Sequence, residues 1–463
     1  MASVLRYGTY IPHARLLRDR IASGAPGERA VAGFDEDSTS LAVEAGREAL
    51  RGCPVSPRHA LFASTSHAYA EKLNAAALQA ALDLPPSVVA LDVASSASSG
   101  LAALGLAAVI GAGSPVLVCA ADVAAGAPQG PRELAGGDGA CAYLVDGVDG
   151  GGAARILASA TYTQELLDTW RGSEQPFPRH WEERFALRLL VPALAEVLGE
   201  ALRQAGLAAG DLDAVAVDAG HAKAALQLAR SAGLRPDQMA NDLSGSVGRC
   251  GAAHAGVLLA SLLDTAEPGD RIAVLSAADG ATAVVLEVSE GIADHRPRRS
   301  VRRWVASKRA DLPYRTYLKW RGILPFEPPR RPDPPRPAAP PMQRSLRWKY
   351  AFVGGRCLDC GATNLPPQRV CAHCGAVDRM QDVPYADERA RVATYTVDHL
   401  AYSLQQPVVA AVVDFDGGGR LACELADVDP AKVAIGLELE MTFRRLYTAD
   451  GVRNYFWKAR PRR

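Results

Sequence analysis

The chain has 463 residues, with 51 Lys and Arg against 51 Asp and Glu, 48% hydrophobic and 22% charged. That length suits two or three domains with a sizeable buried core, and the absence of net charge leaves no long-range field drawing the molecule to nucleic acid or an anionic membrane. The nine cysteines fall as two close pairs and five scattered thiols, which argues against a disulfide framework and for a reducing, cytoplasmic setting with one metal site.

Met1–Pro12 lacks the charged segment, apolar core and small-residue cleavage site of a secretory signal, so none is expected. No apolar run of about 18 residues marks a membrane span. Residues 1–290 alternate helical and strand-like patterns. Leu41–Leu50 reads as a helix, and Ala60–Ala63, ending at Ser64, as a buried strand. Gly100–Ile110 is apolar nearly all round, as a central helix would be, and leads to the strand run Val116–Cys119. The order then returns: helix Leu194–Leu207, strand Ala214–Val217, helix Gly251–Leu263 and strand Ile272–Leu275. The octets beginning Asp138-Gly139-Ala140 and Asp279-Gly280-Ala281 resemble one another, and each opening aspartate suits a turn. Two α/β repeats of roughly 140 residues, with buried helices between sheets, predict a layered α/β/α/β/α arrangement.

Residues 291–349 are basic and read as a linker with helical stretches, in which Pro325–Pro341 is an extended connector. Residues 350–382 carry Cys357, Cys360, Cys371 and Cys374 as C-x2-C-x10-C-x2-C. Each pair can sit on one tight turn, so four thiolates converge on a tetrahedral zinc with no open position, a structural site. Gly361 and Gly375 follow the pairs, where a knuckle needs positive φ. His373, inside the second knuckle, reads as exposed rather than ligating. Residues 383–463 contain five short strand runs, Ala390–Val397, Val408–Phe415, Leu421–Leu425, Leu437–Phe443 and Val452–Ala459, which suggests a small OB-type barrel. Arg444, Arg445 and Lys458, beside Tyr455, Phe456 and Trp457, offer basic and aromatic groups for single-stranded nucleic acid or for the phosphates and adenine of coenzyme A; barrel core and rim is the plainer reading of these aromatics.

The segments Ala63–Lys72, Asp92–Leu104 and Val217–Ala222 resemble the active-site segments of hydroxymethylglutaryl-CoA synthases, in the thiolase superfamily beside the third type of ketoacyl synthase. The C-terminal ribbon and barrel, led in by Tyr317-Leu318-Lys319-Trp320-Arg321-Gly322, are similar to the acyl-CoA-associated zinc-ribbon/OB family. The resemblance implies a duplicated thiolase fold, a homodimer, and an acyl thioester of coenzyme A or a carrier protein as substrate. It also implies a cysteine that takes the acyl group, a glutamate base and a histidine that polarises a carbonyl. Here the family's Cys-x-Ala-Gly-Thr-x-Ala-Leu falls on Ala97–Leu104, so the nucleophile position is Ala97, or Ser98 if the register slips by one. The glutamate position is Thr65, the histidine is His221, and an asparagine of related enzymes falls on Arg249. His67, His254 and Cys250 lie near the same segments, and Cys250 beside Gly251 suggests a helix N-terminus that would favour a thiolate. The reading that follows is acyl transfer, or carbon–carbon bond formation or cleavage, without a cysteine acyl-enzyme, with His221, Ser98 and Thr65 as candidate catalytic residues. The alternatives are an acyl-CoA-binding scaffold and, weaker, a nucleic-acid-binding OB protein.

Overall fold

The computed structural model describes residues 2–94, 96–111, 113–147, 151–327 and 334–463. The chain divides into two compact units, one of Met1–Ala32, Asp37–Leu78 and Pro85–Tyr314, the other of Gly33–Glu36, Gln79–Leu84 and Arg315–Arg463.

The first unit is built on β1 (Ala2–Tyr10), β2 (His59–Ser64), β3 (Val89–Ala94), β4 (Val116–Val123), β5 (Asp138–Asp146), β6 (Ala154–Thr163), β7 (Ala214–Ala219), β8 (Arg271–Ala277) and β9 (Gly280–Val288). They hydrogen-bond in the order β7-β8-β9-β6-β1-β5-β4-β2-β3. The two ends repeat one pattern: β2 runs parallel to β4 and β4 antiparallel to β5, as β7 runs parallel to β8 and β8 antiparallel to β9. The internal duplication is therefore topological as well as sequential. Four helices matter most: α1 (Ser38–Leu50), α2 (Ser99–Ile110), α3 (Glu183–Ala205) and α4 (His254–Leu263). Helix α1 starts where Asp37 and Ser40 cap each other's backbone N–H groups, and α3 ends at Gly206, whose φ of 69° continues no helix.

Helix α2 packs on β2 and β4 of its own half and on β6 and β9 of the other, while α4 packs on β7 and β8 and also on β5 and β1. Helices α1 and α3 cover the outer faces. This is the expected α/β/α/β/α layering, and it explains why α2 and α4 lack a polar stripe: both of their faces are needed inside. The starts of the two central helices meet so closely that a Cβ on Gly100 would lie 2.0 Å from the Ala252 carbonyl oxygen. Helix α2 is not covered all round, however: Leu106 and Val109 are 48% and 75% exposed.

The apolar strand run Val116–Cys119 lies within β4 and is hydrogen-bonded on both sides by β2 and β5. It has no free backbone groups for a second copy. The open edge of the sheet is β3, where Val89 and Leu91 are 50% and 51% exposed; at the opposite end, β7 is bridged by Met239. Residues 291–314 fold into this unit rather than forming a linker, with helices Ile292–His295 and Val301–Ala306 and a buried Trp304. Of the proline-dense connector, 328–333 lie outside the described residues, and its last residues begin a helix at Ala339.

In the second unit, β10 (Val353–Cys357), β11 (Thr363–Asn364) and β12 (Met380–Pro384) form a three-stranded ribbon. Then β13 (Arg389–Asp398), β14 (Val408–Phe415), β15 (Arg420–Glu424), β16 (Glu438–Ala449) and β17 (Val452–Pro461) pair in the order β15-β14-β13-β16-β17. Leu425 bridges Ala459, which joins the two ends of that order into a small barrel. Gly418 and Gly419, at φ of 83° and 95°, make the tight β14–β15 turn. The barrel core is aromatic: Phe443 stacks on Tyr455 at 5.3 Å and Trp457 stacks on Phe352 at 5.6 Å. Tyr455 and Trp457 are thus packing residues and not a platform for a base. Among the described residues no helix is long and apolar enough to cross a membrane.

Candidate functional site

The N-terminal ends of the central helices and the C-terminal ends of β2 and β4 carry the polar residues that the sequence singled out. Ser64, Thr65 and Ser66 leave β2 beside Asp122, a buried carboxylate near the end of β4. Asp122 accepts from the Ser64 hydroxyl at 2.9 Å, the Thr65 amide at 2.8 Å and its hydroxyl at 3.0 Å, the Ser66 hydroxyl at 2.8 Å and the Ala252 amide at 2.6 Å. Burial pushes this carboxyl above the usual range, against the pull of those hydrogen bonds. It ties the first-half strand ends to the start of α4, and a Cβ on Gly251 would strike it at 2.1 Å. Thr65, expected at the glutamate position, donates its hydroxyl inward to Asp122. The Arg171 guanidinium donates to the Thr65 carbonyl at 3.4 Å.

His221 follows β7 and its Nε2 lies 3.0 Å from Asp168 Oδ1, with both side chains largely buried. Asp168 is held in turn: its carbonyl accepts from the Trp181 amide at 3.0 Å. The reading of the sequence missed Asp168 and Asp122. The only signal for Asp122 was an acidic residue closing an apolar strand; Asp168, in a segment without periodicity, gave none.

Ala97, the first of the two residues read for the cysteine position, offers a methyl group. Ser98 stands at the N-terminal boundary of α2 but its side chain does not cap the helix; it donates its hydroxyl to the Ala278 carbonyl at 3.0 Å. Among the described residues no histidine or carboxylate is hydrogen-bonded to Ser98. Ser98 Oγ is also 3.0 Å from Ser96 Oγ, and Ser96 donates to Asp279 Oδ2 at 2.8 Å. Asp138, expected in a turn, opens β5 instead, and its carboxylate accepts from the Ala32 and Ala124 amides.

The other candidates separate clearly. Cys250 does stand before a helical turn, but it is fully buried, and burial with Asp138, Asp122 and Asp218 nearby pushes its thiol well up, so it is not the activated thiolate its position suggested. His254 is buried and desolvation favours its neutral form. His67 packs edge-on against Phe62 at 4.8 Å, and neither ring nitrogen has a hydrogen-bond partner among the described residues.

In the second unit, the sulfurs of Cys357, Cys360, Cys371 and Cys374 lie within 4.8 Å of one another, with Cys357–Cys374 at 3.7 Å and Cys360–Cys371 at 3.6 Å. A tetrahedral zinc with bonds of about 2.3 Å requires sulfurs roughly 3.8 Å apart, so the four thiolates fit that ion. The two knuckles repeat: the Gly361 amide bonds the Cys357 carbonyl and the Gly375 amide the Cys371 carbonyl, and both glycines have a φ of 75°. His373 is exposed and outside the cluster.

Arg444 and Lys458 are buried. Arg444 pairs with Asp35 at 3.3 Å, Glu36 at 2.8 Å and Asp427 at 2.6 Å. Lys458 pairs with Asp35 at 3.0 Å and Glu424 at 2.7 Å. Their charge is committed to carboxylates of the same unit and is not displayed to phosphates. Burial alone would raise the Asp35 carboxyl; Lys458 and Arg444 outweigh it and hold it below the usual range. Arg445 donates to the Phe34 carbonyl at 2.7 Å.

Comparison with known proteins agrees with both units. The family models described as the ChsH2 rubredoxin-like zinc ribbon domain and the ChsH2 C-terminal OB-fold domain match residues 349–378 and 382–444. A DUF35 domain-containing scaffold protein of Methanocaldococcus jannaschii is 30% identical over 123 residues, covering 26% of this chain and 86% of its own. A solved HMG-CoA synthase complexed with CoA shares the fold, with a TM-score of 0.58 at 17% identity over 69% of this chain and 89% of its own. The hydroxymethylglutaryl-CoA synthase of Aeropyrum pernix is 30% identical over 343 residues, which cover 70% of this chain and 95% of that protein. The chain therefore belongs to the hydroxymethylglutaryl-CoA synthase family and carries a zinc-ribbon/OB module at its C-terminal end.

Proposed function

We propose that the chain is an acyltransferase or carbon–carbon bond-forming or bond-cleaving enzyme that acts on an acyl-CoA thioester without a cysteine acyl-enzyme. The observation that carries this is the His221–Asp168 pair. A carboxylate at one imidazole nitrogen orients the ring and leaves Nδ1 for proton transfer with a thioester or acceptor carbonyl oxygen as charge develops there. Family membership supplies the thioester; the paired histidine supplies a group able to process it when Ala97 cannot. One structural zinc per chain on Cys357, Cys360, Cys371 and Cys374 belongs to the same reading. A second reading is favoured by the likeness of the C-terminal residues to a scaffold protein: that unit binds a partner of the acyl-transfer reaction while the first unit holds the thioester.

The test is turnover of a panel of acyl-CoAs by the full chain. His221→Ala is expected to lower turnover by roughly 10²-fold or more, as loss of a positioned acid–base or oxyanion group does. Asp168→Asn should lower it less, because the ring keeps its place but loses the carboxylate that orients it. Acyl-CoA that binds but is never turned over, or turnover indifferent to His221→Ala, refutes the catalytic reading in favour of the scaffold.

The same reading includes a homodimer, assembled along the open β3 edge. Antiparallel pairing of two β3 strands about a two-fold axis would satisfy their outward backbone groups and cover Val89, Leu91, Leu106 and Val109. Sedimentation at micromolar concentration should give twice the monomer mass, and Leu91→Lys should shift the chain toward monomer. A monomeric parent chain would refute the assignment.

A further inference from the structure

We infer that Ser96 is an acyl acceptor, with Asp279 as its base; the inference rests on the acyl-thioester reading above and specifies how it begins. Of the two serine hydroxyls flanking Ala97, only Ser96 is hydrogen-bonded to a carboxylate, donating to Asp279 Oδ2 at 2.8 Å. Ser98 gives its proton to a main-chain carbonyl, which cannot take it away. Ser98 instead supports Ser96, with their Oγ atoms 3.0 Å apart and the Ser98 amide 3.4 Å from Ser96 Oγ. Ser96 and Asp279 are both solvent-accessible, as a reacting pair must be, and Ser96 is within two residues of both Ala97 and Ser98, the two readings of the family's cysteine position.

Asp279 is set in place by its backbone. Its φ is 54°, a left-handed conformation that few non-glycine residues adopt, and Gly280 beside it has a φ of 112°. A Cβ on Gly280 would lie 1.9 Å from the Tyr162 carbonyl oxygen, so the β8–β9 turn presses against β6, and the Gln164 amide bonds the Asp279 carbonyl at 3.2 Å. This tight turn directs the Asp279 carboxylate at Ser96 across 183 residues of sequence.

A serine hydroxyl is a weak nucleophile until a base removes its proton. Ser96 Oγ attacks the thioester carbonyl carbon and its proton passes to the Asp279 carboxylate as the C–O bond forms. Collapse of the tetrahedral adduct breaks the C–S bond, and Asp279 returns the proton to the departing sulfur. The products are an acyl ester on Ser96 and the free thiol of coenzyme A.

The experiment is intact-mass and fragment-mass analysis of the full-length chain after incubation with acetyl-CoA and longer acyl-CoAs and an acid quench. The expected result is an acyl adduct that fragmentation places on Ser96, abolished by Ser96→Ala and formed roughly 10²-fold more slowly by Asp279→Asn. Calorimetric binding of acyl-CoA to Ser96→Ala shows that this variant is folded. An adduct on Ser98 or elsewhere, an adduct surviving Ser96→Ala, or turnover with no adduct would overturn the inference and leave the acyl-thioester reading standing. The absence of both adduct and turnover with every acyl-CoA would overturn both.

Discussion

Replacing Cys357 and Cys371 by serine together is expected to reduce bound zinc below half an equivalent per chain and to unfold the ribbon. The two changes take one thiolate from each knuckle, so neither remaining pair can close a four-sulfur shell. The ribbon between Val353 and Pro384 has three short strands and little apolar core, and metal-ligand energy is folding energy in such modules, on the order of 10 kcal/mol. Without a cation, ionised sulfurs spaced 3.6–3.7 Å apart also repel one another. Metal analysis checks the first part. Limited proteolysis checks the second: new cleavage should appear within 353–384 while the first unit stays resistant. Full zinc content in the double variant would remove the structural-zinc assignment.

Arg444→Ala is expected to destabilise the second unit by about 3–5 kcal/mol, the cost of removing the central cation from a largely buried ion-pair network. Asp35, Glu36 and Asp427 all face this one guanidinium; Asp35 also has Lys458 and Asp427 also has Arg460. Arg444→Lys should recover little, because one ammonium cannot reproduce the guanidinium fork across three carboxylates. Urea unfolding followed by a signal from the barrel, such as the fluorescence of Trp457, measures the loss. A pH dependence follows from the same network. Asp35 has a native pKa below its unfolded value, so its contribution is fully present above about pH 4 and is lost as the pH falls through the lowered native value. A variant as stable as the parent would show that the network is cost-neutral.

The boundary between what could be read and what could not follows contact range. The zinc knuckles are local: two cysteines three residues apart and a glycine after them specify a turn by themselves, and the structure closes them as the spacing required. Strand and helix periodicity likewise reports which faces are buried, so the duplicated layers and the five barrel strands were legible from residue order. The positions of Ala97, Thr65 and His221 came from resemblance to a family, not from periodicity. The electrostatic partners were not legible, because charge pairing is decided by residues distant in sequence. Asp168 meets His221 across 53 residues, Asp279 meets Ser96 across 183, and Asp35 meets Arg444 across 409. In the sequence Arg444 and Lys458 look like free cations beside aromatic residues, and β4 looks like any apolar strand seeking a partner. Only the folded chain surrounds the first two with carboxylates and gives the third a neighbour on each side. Local sequence fixes dihedral preference and burial pattern; whether a charge is answered, or a strand edge left open, depends on which segments the tertiary fold brings together.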